Sequence, residues 1–448
     1  MTLSYRWGSH PKILLKSSSL ESFKSENSIG QLPLTFRDAI CVVRHFGIRY
    51  LWVDSLCIIQ DSVPDWEAEA PMMRYVYGNS TCNLAATASY DPDEGLFRER
   101  DPAKIGPHVV ESTLTNGSLQ KSLIVTVGYW ENQINDGVYH KRGWVFQECL
   151  LAPRVMYFTK EQLMWECTET HGCEAFPDGV NLRLPTKLDV EKAFENNGAK
   201  FVNFDLSSSY AHSGVWMYLV KDYTLTKLTR PDDRLYAFSG IAKLFQEITG
   251  YKYLAGLWQE DLLHQLGWFV HCPAPKLSNR YKAPSWSWAS TDGWVEPNSA
   301  HDMEFLIQII DVKVTARGTD PTLDAADGYL KLRCPFIVTT YFRTSEGKIC
   351  LEIGGTNARS LTFSDYKPDR QEEQGLTENG TIGLFFYVRN IFDPDSSWIK
   401  CIAVESIPGD DDAFRRTGMI SMYNQEAVKA AMDMIEDGTI GSKTITLV

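Results

Sequence analysis

The sequence predicts an α/β protein in which a domain with a mainly parallel sheet is followed by a helical layer and a small antiparallel β module. Strand-like and helix-like segments alternate over the first 170 residues, as in layered α/β domains. Apolar residues then recur at helical spacing, and beyond about residue 284 short β-like runs are separated by Gly, Pro and Asp. We therefore expect an α/β domain over residues 1–170, a helical region packed on it over 171–283, and a β-rich C-terminal module over 284–448.

The strands and helices of the first domain follow from apolar patterns and turn residues. Strands are predicted over residues 2–7, 50–59, 81–88, 122–130, 154–158 and 162–167. Helices are predicted over residues 32–48, from Asp61 or Ser62 onwards, and over 143–151. The run at 50–59 is continuously apolar, which is typical of a strand buried on both faces. Pro64 suits a first helical turn, whereas Pro71 should end or kink that helix.

The later regions give a second set of predicted elements. Helices are predicted over residues 213–228, 232–248 and 257–270, with Asp232 and Asp233 as N-cap residues of the second. The segment SWSWAS at 285–290 alternates Trp with Ser, which predicts a strand. Further strands are predicted over residues 329–334, 336–342, 383–388, 398–404 and 443–448.

The composition argues against several classes of function. A formal net charge of −13 without a dense basic run makes nucleic acid an unlikely partner. The chain has no charged leader with an apolar stretch and no apolar segment of 18 residues, so we expect a cytoplasmic protein that does not bind membranes. The segment from Cys167 to Cys173 lacks the second half of a zinc motif, and no metal site is predicted. No serine-nucleophile elbow, P-loop or dinucleotide fingerprint occurs either.

A carboxylate on the predicted helix over 143–151 stands among residues that belong in a core. Trp144, Glu148 and Leu151 fall at i, i+4 and i+7 and so share one face. Burying a carboxylate without a partner is costly or forces its protonation. Glu148 is therefore either needed for chemistry, or it forms an ion pair with Arg142 or Arg154 that fixes the helix to the sheet.

The segment Ser4, Tyr5, Arg6, Trp7 and Gly8 ends the first predicted strand. It places a cation and a flat ring at the carboxyl edge of a sheet, where open α/β sheets bind ligands. A structural interpretation is also open, in which Trp7 packs under a loop and Arg6 pairs with a nearby carboxylate.

A further cluster lies between the second strand and the next helix. Asp54 and Asp61 lie near the end of the strand. Glu67 lies near the start of the next helix, where the positive end of the helix dipole is enough to explain an acidic residue. Glu69 shares a largely apolar face with Trp66 and Met73. An aspartate in the position of Asp54 most often accepts backbone N–H bonds, which is a structural role.

Five segments occur in order over roughly residues 1–170: LSYRWG, LPLTFRDAI, GIRYLWVDSLCIIQDS, DWEAEAPMMRYVYGNS and RGWVFQECLLAPRVMYF. In content and order they resemble the fungal heterokaryon-incompatibility (HET) domain. DDRLYAFSGIA, GLW, APSWSWAS and FRRTGMI resemble segments that follow this domain in many such proteins. The resemblance implies a role in fungal nonself recognition, in which an incompatible partner protein triggers growth arrest and cell death.

The HET domain is in turn distantly similar to the Toll/interleukin-receptor (TIR) domain, a flavodoxin-like sheet with helices on both faces. LSYRWG resembles the first TIR strand, and Trp144 to Glu148 resembles the TIR motif W-C-x-x-E-L. Many TIR domains cleave NAD with the glutamate of that motif, which by position is Glu148, with Glu69 as the second choice. A carboxylate in a sheltered cleft stabilises the positive charge that develops when the bond from nicotinamide to ribose breaks.

The TIR resemblance implies NAD as a substrate and assigns roles to the remaining residues. The implied ligand-binding residues are Ser4, Tyr5, Arg6, Trp7, Gly8, Asp54, Trp144 and Gln147. The implied supporting residues are Arg142, Arg154, Trp66 and Asp61. Trp7 and Trp144 are the candidates for stacking on adenine or nicotinamide.

Two main hypotheses follow from the sequence, and a third, a domain that was inherited without activity, would look the same in sequence. In the first, the protein is a cell-death effector that cleaves NAD with Glu148. In the second, it is a non-enzymatic signalling module that forms a homo-oligomer through the HET domain, and Glu148 belongs to a structural ion pair. An open cleft at Glu148 would favour the first, and burial of Glu148 against an arginine would favour the second.

Overall fold

The computed structural model describes residues 1–8, 13–25, 28–101, 105, 108–115, 117–124, 130, 133–134, 141–179, 211–278, 280–298, 303–343, 349–353, 359–363, 365–371, 379–390 and 397–448. The chain divides into two compact units. Unit 1 comprises Met1–Ser208, Thr226–Leu228 and Ala237–Leu244. Unit 2 comprises Ser209–Leu225, Thr229–Tyr236 and Phe245–Val448. Both units are therefore discontinuous in the sequence.

Unit 1 contains a mixed α/β fold. Its helices are α1 (Leu20–Lys24), α2 (Leu34–His45), α3 (Asp54–Cys57), α4 (Val63–Gly78) and α5 (Gly143–Leu151). Its strands are β1 (Thr2–Ser4), β2 (Trp52–Val53), β3 (Asn83–Ala85), β4 (His108–Thr113), β5 (Leu119–Ile124), β6 (Arg154–Phe158), β7 (Leu163–Cys167) and β8 (His171–Cys173). Strands β4 and β5 form a separate antiparallel hairpin.

The main sheet of unit 1 has the strand order β2-β1-β3-β6-β7-β8 in the described residues. Strands β2, β1, β3 and β6 run parallel, and β7 and β8 continue the sheet antiparallel. The predicted α/β fold with a mainly parallel sheet is thus confirmed. Because β2 and β3 lie on opposite sides of β1, the strand order reverses at β1.

Helices cover both faces of this sheet because alternate strand residues point to opposite sides. Leu3, Val53 and Leu84 belong to one apolar core with Phe36 and Ala39 of α2. The opposite core joins residues of the sheet to α4 and α5, and its members include Ala85, Val155, Met73, Tyr77 and Val145. Helices α4 and α5 therefore share one face, and α2 lies on the other.

Several predicted boundaries in unit 1 differ from the structure. The strand predicted over 50–59 is reduced to β2, because the Asp54 carboxylate accepts the Ser55 N–H and starts α3. Helix α4 is capped by Ser62, which accepts the Asp65 N–H, as predicted. Pro71 does not end this helix, whose buried face continues to Tyr77. The predicted strand over 122–130 falls partly outside the described residues, and α5 spans the residues that the sequence predicted.

Unit 2 is dominated by strands. Its strands are β9 (Tyr253–Leu254), β10 (Leu257–Trp258), β11 (Phe269–Cys272), β12 (Trp294–Glu296), β13 (Met303–Phe305), β14 (Gln308–Ala316), β15 (Ala325–Arg343), β16 (Ile349–Ile353), β17 (Arg359–Phe363), β18 (Asp365–Pro368), β19 (Asn379–Asn390), β20 (Ile399–Ile407), β21 (Asp410–Met422) and β22 (Ser442–Leu447). Strands β13 to β22 form one sheet of ten strands over the described residues, and each of its pairings except β21–β22 is antiparallel. The predicted antiparallel module is present and is larger than expected.

The helices of the C-terminal half are α6 (Ala211–Thr224), α7 (Tyr236–Thr249), α8 (Leu262–Gln265) and α9 (Gln425–Glu436). Residues of α7 belong to both units. The long helix predicted over 257–270 is wrong, because the chain there forms β10, α8 and the start of β11. The strand predicted over 285–290 is also wrong: Trp286 and Trp288 are both fully buried, and a short 3-10 helix covers Trp288–Ser290.

Candidate functional site

The candidate site lies at the point where the strand order of the unit 1 sheet reverses. Residues 5–8 leave the carboxyl end of β1 there, between the ends of β2 and β3. Open α/β sheets bind ligands at such positions, because the connections from neighbouring strands diverge to opposite faces. Gly8 has a positive φ of 74°, and a Cβ at this position would lie 2.5 Å from the Asp91 carboxylate. Glycine is therefore required to turn the loop after β1.

Glu148 is an internal residue of unit 1. Its side chain projects from α5 onto the sheet, and the residue is 3% exposed. The Ser4 hydroxyl on β1 donates a hydrogen bond to Glu148 Oε2. The hydroxyl of Tyr77 on α4 also hydrogen-bonds the carboxylate. The Glu148 side chain thus joins α5 to both a strand and a helix.

A row of polar side chains continues from Glu148 across the buried face of the sheet. Thr2, Ser4 and Asn83 lie on this face, since they alternate with the apolar Leu3 and Leu84. Asn83 accepts a hydrogen bond from Thr2 Oγ1 at 3.0 Å and donates one from Nδ2 to Ser4 Oγ at 3.0 Å. Ser4 can therefore donate to Glu148 while it accepts from Asn83. All three residues are buried.

Arg142 is a cation whose charge acts on this network. It is the N-cap residue of α5, and its Nη1 donates to the backbone oxygen of Tyr5. Its positive charge acts favourably on both Glu148 and Asp54. Arg154 lies elsewhere, since it is exposed and its Nη1 contacts the Thr81 oxygen at 3.5 Å. Of the two predicted partners of Glu148, Arg142 acts on it through its charge, but no ion pair between Glu148 and either arginine is present among the described residues.

The buried environment changes the acid–base behaviour of the cluster. Burial raises the pKa of Glu148 to about 7, although Arg142 and the hydrogen bonds from Ser4 and Tyr77 oppose this shift. Burial also raises the pKa of Asp54, against the attraction of Arg142. The pKa of the Tyr77 phenol lies well above its ordinary value, mainly through burial and then through the charge of Glu148. Near pH 7, the Glu148 carboxyl is thus close to half protonated.

Asp54 holds the loop after β1 in place. Its carboxylate accepts Trp7 Nε1–H at 2.8 Å and the Ser55 N–H at 2.7 Å. The Tyr5 hydroxyl donates to Ser55 Oγ at 2.7 Å and is buried. Trp7 is half-buried, as are Arg6 and Gly8. Asp54 therefore has the predicted structural contact with a backbone N–H, and it also brings Trp7 to the edge of the sheet.

The remaining predicted site residues have contacts with residues outside the Glu148 network. The Trp66 and Trp144 rings meet edge to face with centroids 6.3 Å apart. Gln147 is buried and points away from Glu148, because its Oε1 accepts the Gly240 N–H at 3.2 Å. The Asp61 carboxylate instead accepts hydrogen bonds from the backbone N–H and the hydroxyl of Ser17. Glu69 is half-buried on α4, where its charge acts on Cys57.

Sequence reasoning missed Thr2, Tyr77, Asn83 and Ser55. Thr2 and Asn83 could have been found, since a polar residue at alternate positions of an apolar strand indicates a shared polar face. Tyr77 and Ser55 carry no such signal, because their contacts depend on tertiary packing.

The geometry defines the class of the N-terminal part of the chain. It is an α/β domain in which a protonatable carboxyl and two hydroxyls form a buried network at the reversal of strand order, and an arginine acts on this network through its charge. In the part of the chain that the structure describes, no three His, Cys, Asp or Glu side chains are grouped to hold a metal ion. None of the described helices has the length and apolar character needed to span a membrane.

Comparison with protein families finds a similarity for this part of the chain. Residues 1–148 match the family described as Heterokaryon incompatibility protein (HET). Over these residues the chain is similar to the HET domain, in agreement with the resemblance seen in the sequence. Neither the curated proteins nor the solved structures contain a match to the chain. The similarity to TIR domains stays a prediction.

Proposed function

We propose that this protein acts in fungal nonself recognition as a cytoplasmic cell-death effector of heterokaryon incompatibility. The HET match over residues 1–148 supports this role. The trigger would be an incompatibility partner protein. In this proposal, growth arrest follows when the partner is expressed in the same cell.

Within that role, the HET domain acts as a non-enzymatic interaction module that self-associates. The observation that carries this proposal is the burial of Glu148, which is 3% exposed and engaged by Ser4 and Tyr77. A catalytic carboxylate has to lie within hydrogen-bond reach of the substrate or of one bridging water. Glu148 instead uses its hydrogen bonds to hold β1, α4 and α5 together.

The outer side of α4 is the surface we assign to self-association. Met72 and Tyr75, three residues apart on this helix, are 47% and 46% exposed. Residues at this spacing lie on one side of a helix. Tyr77 on the same helix contacts Glu148, so the position of this surface depends on the buried network.

The test measures the mass of the purified protein by light scattering as its concentration rises. The wild-type protein should form dimers or larger species, and Met72→Glu combined with Tyr75→Glu should remain monomeric. Tyr90→Glu is the matched control, because Tyr90 is 56% exposed but lies outside α4. A monomeric wild-type protein, or self-association unchanged by the α4 substitutions, would reject the proposed module.

NAD cleavage is the second candidate, and the location of the cluster favours it. Glu148 lies behind the carboxyl end of β1, and Trp7 is half-buried at the edge of the same strand. The order of the four parallel strands, β2-β1-β3-β6, agrees with a flavodoxin-like sheet. For catalysis, the loop at residues 5–8 and Arg142 would have to move so that ribose reaches the carboxylate.

An ionised Glu148 would be required for this reaction, because the carboxylate stabilises positive charge on the sugar carbon. With the pKa of Glu148 at about 7, activity should rise from pH 6 to pH 8 and then level off. Nicotinamide release with that profile, lost in Glu148→Gln, would favour the enzyme over the module.

A further inference from the structure

One face of the ten-stranded sheet in unit 2 carries two lysines at neighbouring positions. Asp365 of β18 and Lys400 of β20 both pair with Ser421 of the strand between them, β21. The three side chains therefore lie in line on one face. Lys367 follows Asp365 by two residues along β18 and points to that same face.

The two lysines share one aromatic ring. The Nζ atoms of Lys367 and Lys400 lie 4.9 and 5.5 Å from the ring centroid of Phe269. Lys400 Nζ is also 5.1 Å from the ring centroid of Trp398. Both residues are half-buried, so each is partly exposed to solvent. Cation–π attraction holds ammonium groups at such distances.

The charges around Lys400 are not balanced by the contacts described. Lys367 lies 3.7 Å from the Asp365 carboxylate, whereas Lys400 Nζ donates at 2.6 Å to a neutral partner, the Asn298 side-chain oxygen. Burial and, after it, the charge of Lys367 lower the pKa of Lys400 to about 8, against the opposing charge of Asp365. Two ammonium groups thus share one carboxylate in a partly desolvated place, where charge interactions are strong.

A third lysine on this sheet, Lys443, shows that contacts with aromatic rings do not by themselves leave a lysine without a carboxylate partner of its own. Lys443 Nζ lies 5.4 and 5.3 Å from the ring centroids of Phe336 and Phe414. It also pairs with Asp412 at 2.9 Å. Lys443 therefore has the same type of aromatic environment and a carboxylate partner of its own.

We propose that Lys367, Lys400, Phe269 and Trp398 form a binding site for a small organic anion that carries a planar ring. A phosphate or carboxylate group binds between the two ammonium groups, where it supplies the missing negative charge. The planar part of the ligand packs against the exposed parts of the Phe269 and Trp398 rings. This site lies within unit 2 and is independent of the function proposed for the HET domain.

The experiment measures binding of phenyl phosphate and of inorganic phosphate to the full-length protein by isothermal titration calorimetry. The wild-type protein should bind phenyl phosphate saturably and at least fivefold more tightly than inorganic phosphate. Lys400→Met should weaken binding at least tenfold, and Lys367→Met should also weaken it. Lys443→Met, the matched control, should bind as the wild type does. Above pH 8, affinity should fall about tenfold per unit as Lys400 loses its proton.

Each remaining outcome counts against the site. No saturable binding, unchanged binding by Lys400→Met, or an equal loss in Lys443→Met would overturn the proposal. Equal affinity for the two phosphates would remove the role of the rings. If Lys400→Met does not fold, Lys400→Arg keeps the charge and should retain binding, and Lys367→Met then gives the test of charge removal.

Discussion

Glu148 shows how a buried charge can be kept within a small network of hydroxyls. Ser4 and Tyr77 donate to the carboxylate, and Arg142 stabilises its negative charge from the start of α5. These interactions do not offset the loss of water, since the pKa of Glu148 is still raised to about 7. The folded protein therefore binds a proton at Glu148 that the unfolded chain releases at lower pH.

Because the pKa of Glu148 is raised in the folded protein, its contribution to the free energy of unfolding decreases as the pH rises. The contribution of Glu148 is fully present below pH 4.5, the ordinary pKa of a glutamate side chain, and is lost as the pH rises through about 7. The total change is on the order of 3 kcal/mol, since each pKa unit corresponds to about 1.4 kcal/mol. Glu148→Gln should remove this dependence. The free energy of unfolding of the variant should therefore increase relative to that of the wild type as the pH rises from 4.5 to 8.

Chemical denaturation at a series of pH values measures this difference. Glu67→Gln is the matched control, because Glu67 is an exposed glutamate on α4. It should show the same pH dependence as the wild type. A constant difference between Glu148→Gln and the wild type across this range would contradict the buried network.

At the scale of elements, the contact of α5 with α7 depends on a glycine. Within unit 1, Gly240 N–H of α7 donates to Gln147 Oε1 of α5. A Cβ at residue 240 would lie 2.8 Å from that oxygen, 2.8 Å from Leu151 Cδ1 and 3.0 Å from Arg74 Cβ. The Phe146 and Phe238 rings stack nearby with centroids 6.0 Å apart. No larger residue fits at Gly240 without moving these neighbours.

Gly240→Ala should lower the free energy of unfolding by about 1–3 kcal/mol, the usual cost of overpacking. Gly78→Ala is the control, since a Cβ there would lie 3.8 Å from its nearest neighbour, the Leu151 oxygen. Alanine has the higher helix propensity, so Gly78→Ala should leave stability unchanged or raise it by up to about 1 kcal/mol. Thermal unfolding compares the two, and equal effects would show that the contact of α5 with α7 is not tight.

The elements that sequence alone predicted well are those whose pattern is local. Helix α5 and strands β6 and β7 follow from short apolar runs bounded by polar residues, and Ser62 is a local capping signal. The segment at 285–290 was misassigned because its alternation comes from two fully buried tryptophans, of which Trp288 donates its Nε1–H to the Gly256 oxygen. In the site, Glu148 was found because a charge on an apolar face is visible in the sequence. Its partner Tyr77 was not, because the contact joins residues far apart in the chain.

At the scale of the whole molecule, the fold of unit 1 does not end where the sequence pattern of its domain ends. Thr226–Leu228 and Ala237–Leu244 belong to this unit. Gly143 N–H at the start of α5 donates to the Lys227 oxygen at 2.8 Å. A side chain at Gly143 would meet Leu228 Cδ2 at 2.5 Å. The helix that carries Glu148 is therefore completed by residues beyond position 220.

A fragment of residues 1–170 should consequently fold poorly. It lacks the partners of Gly143, Gln147 and Phe146, which leaves the outer side of α5 exposed. We expect no cooperative thermal transition for this fragment under conditions in which the full chain unfolds cooperatively. Circular dichroism measures both, and a fragment with the same midpoint as the full chain would show that the later segments are dispensable.

Our central proposal is that Glu148 has a structural role inside the domain and no catalytic one. The most direct test is the nicotinamide released from NAD by the purified full-length protein at pH 8, where an ionised Glu148 would be most active. Wild type and Glu148→Gln should release the same background amount of nicotinamide. Release by the wild type that disappears in a folded Glu148→Gln protein would contradict it.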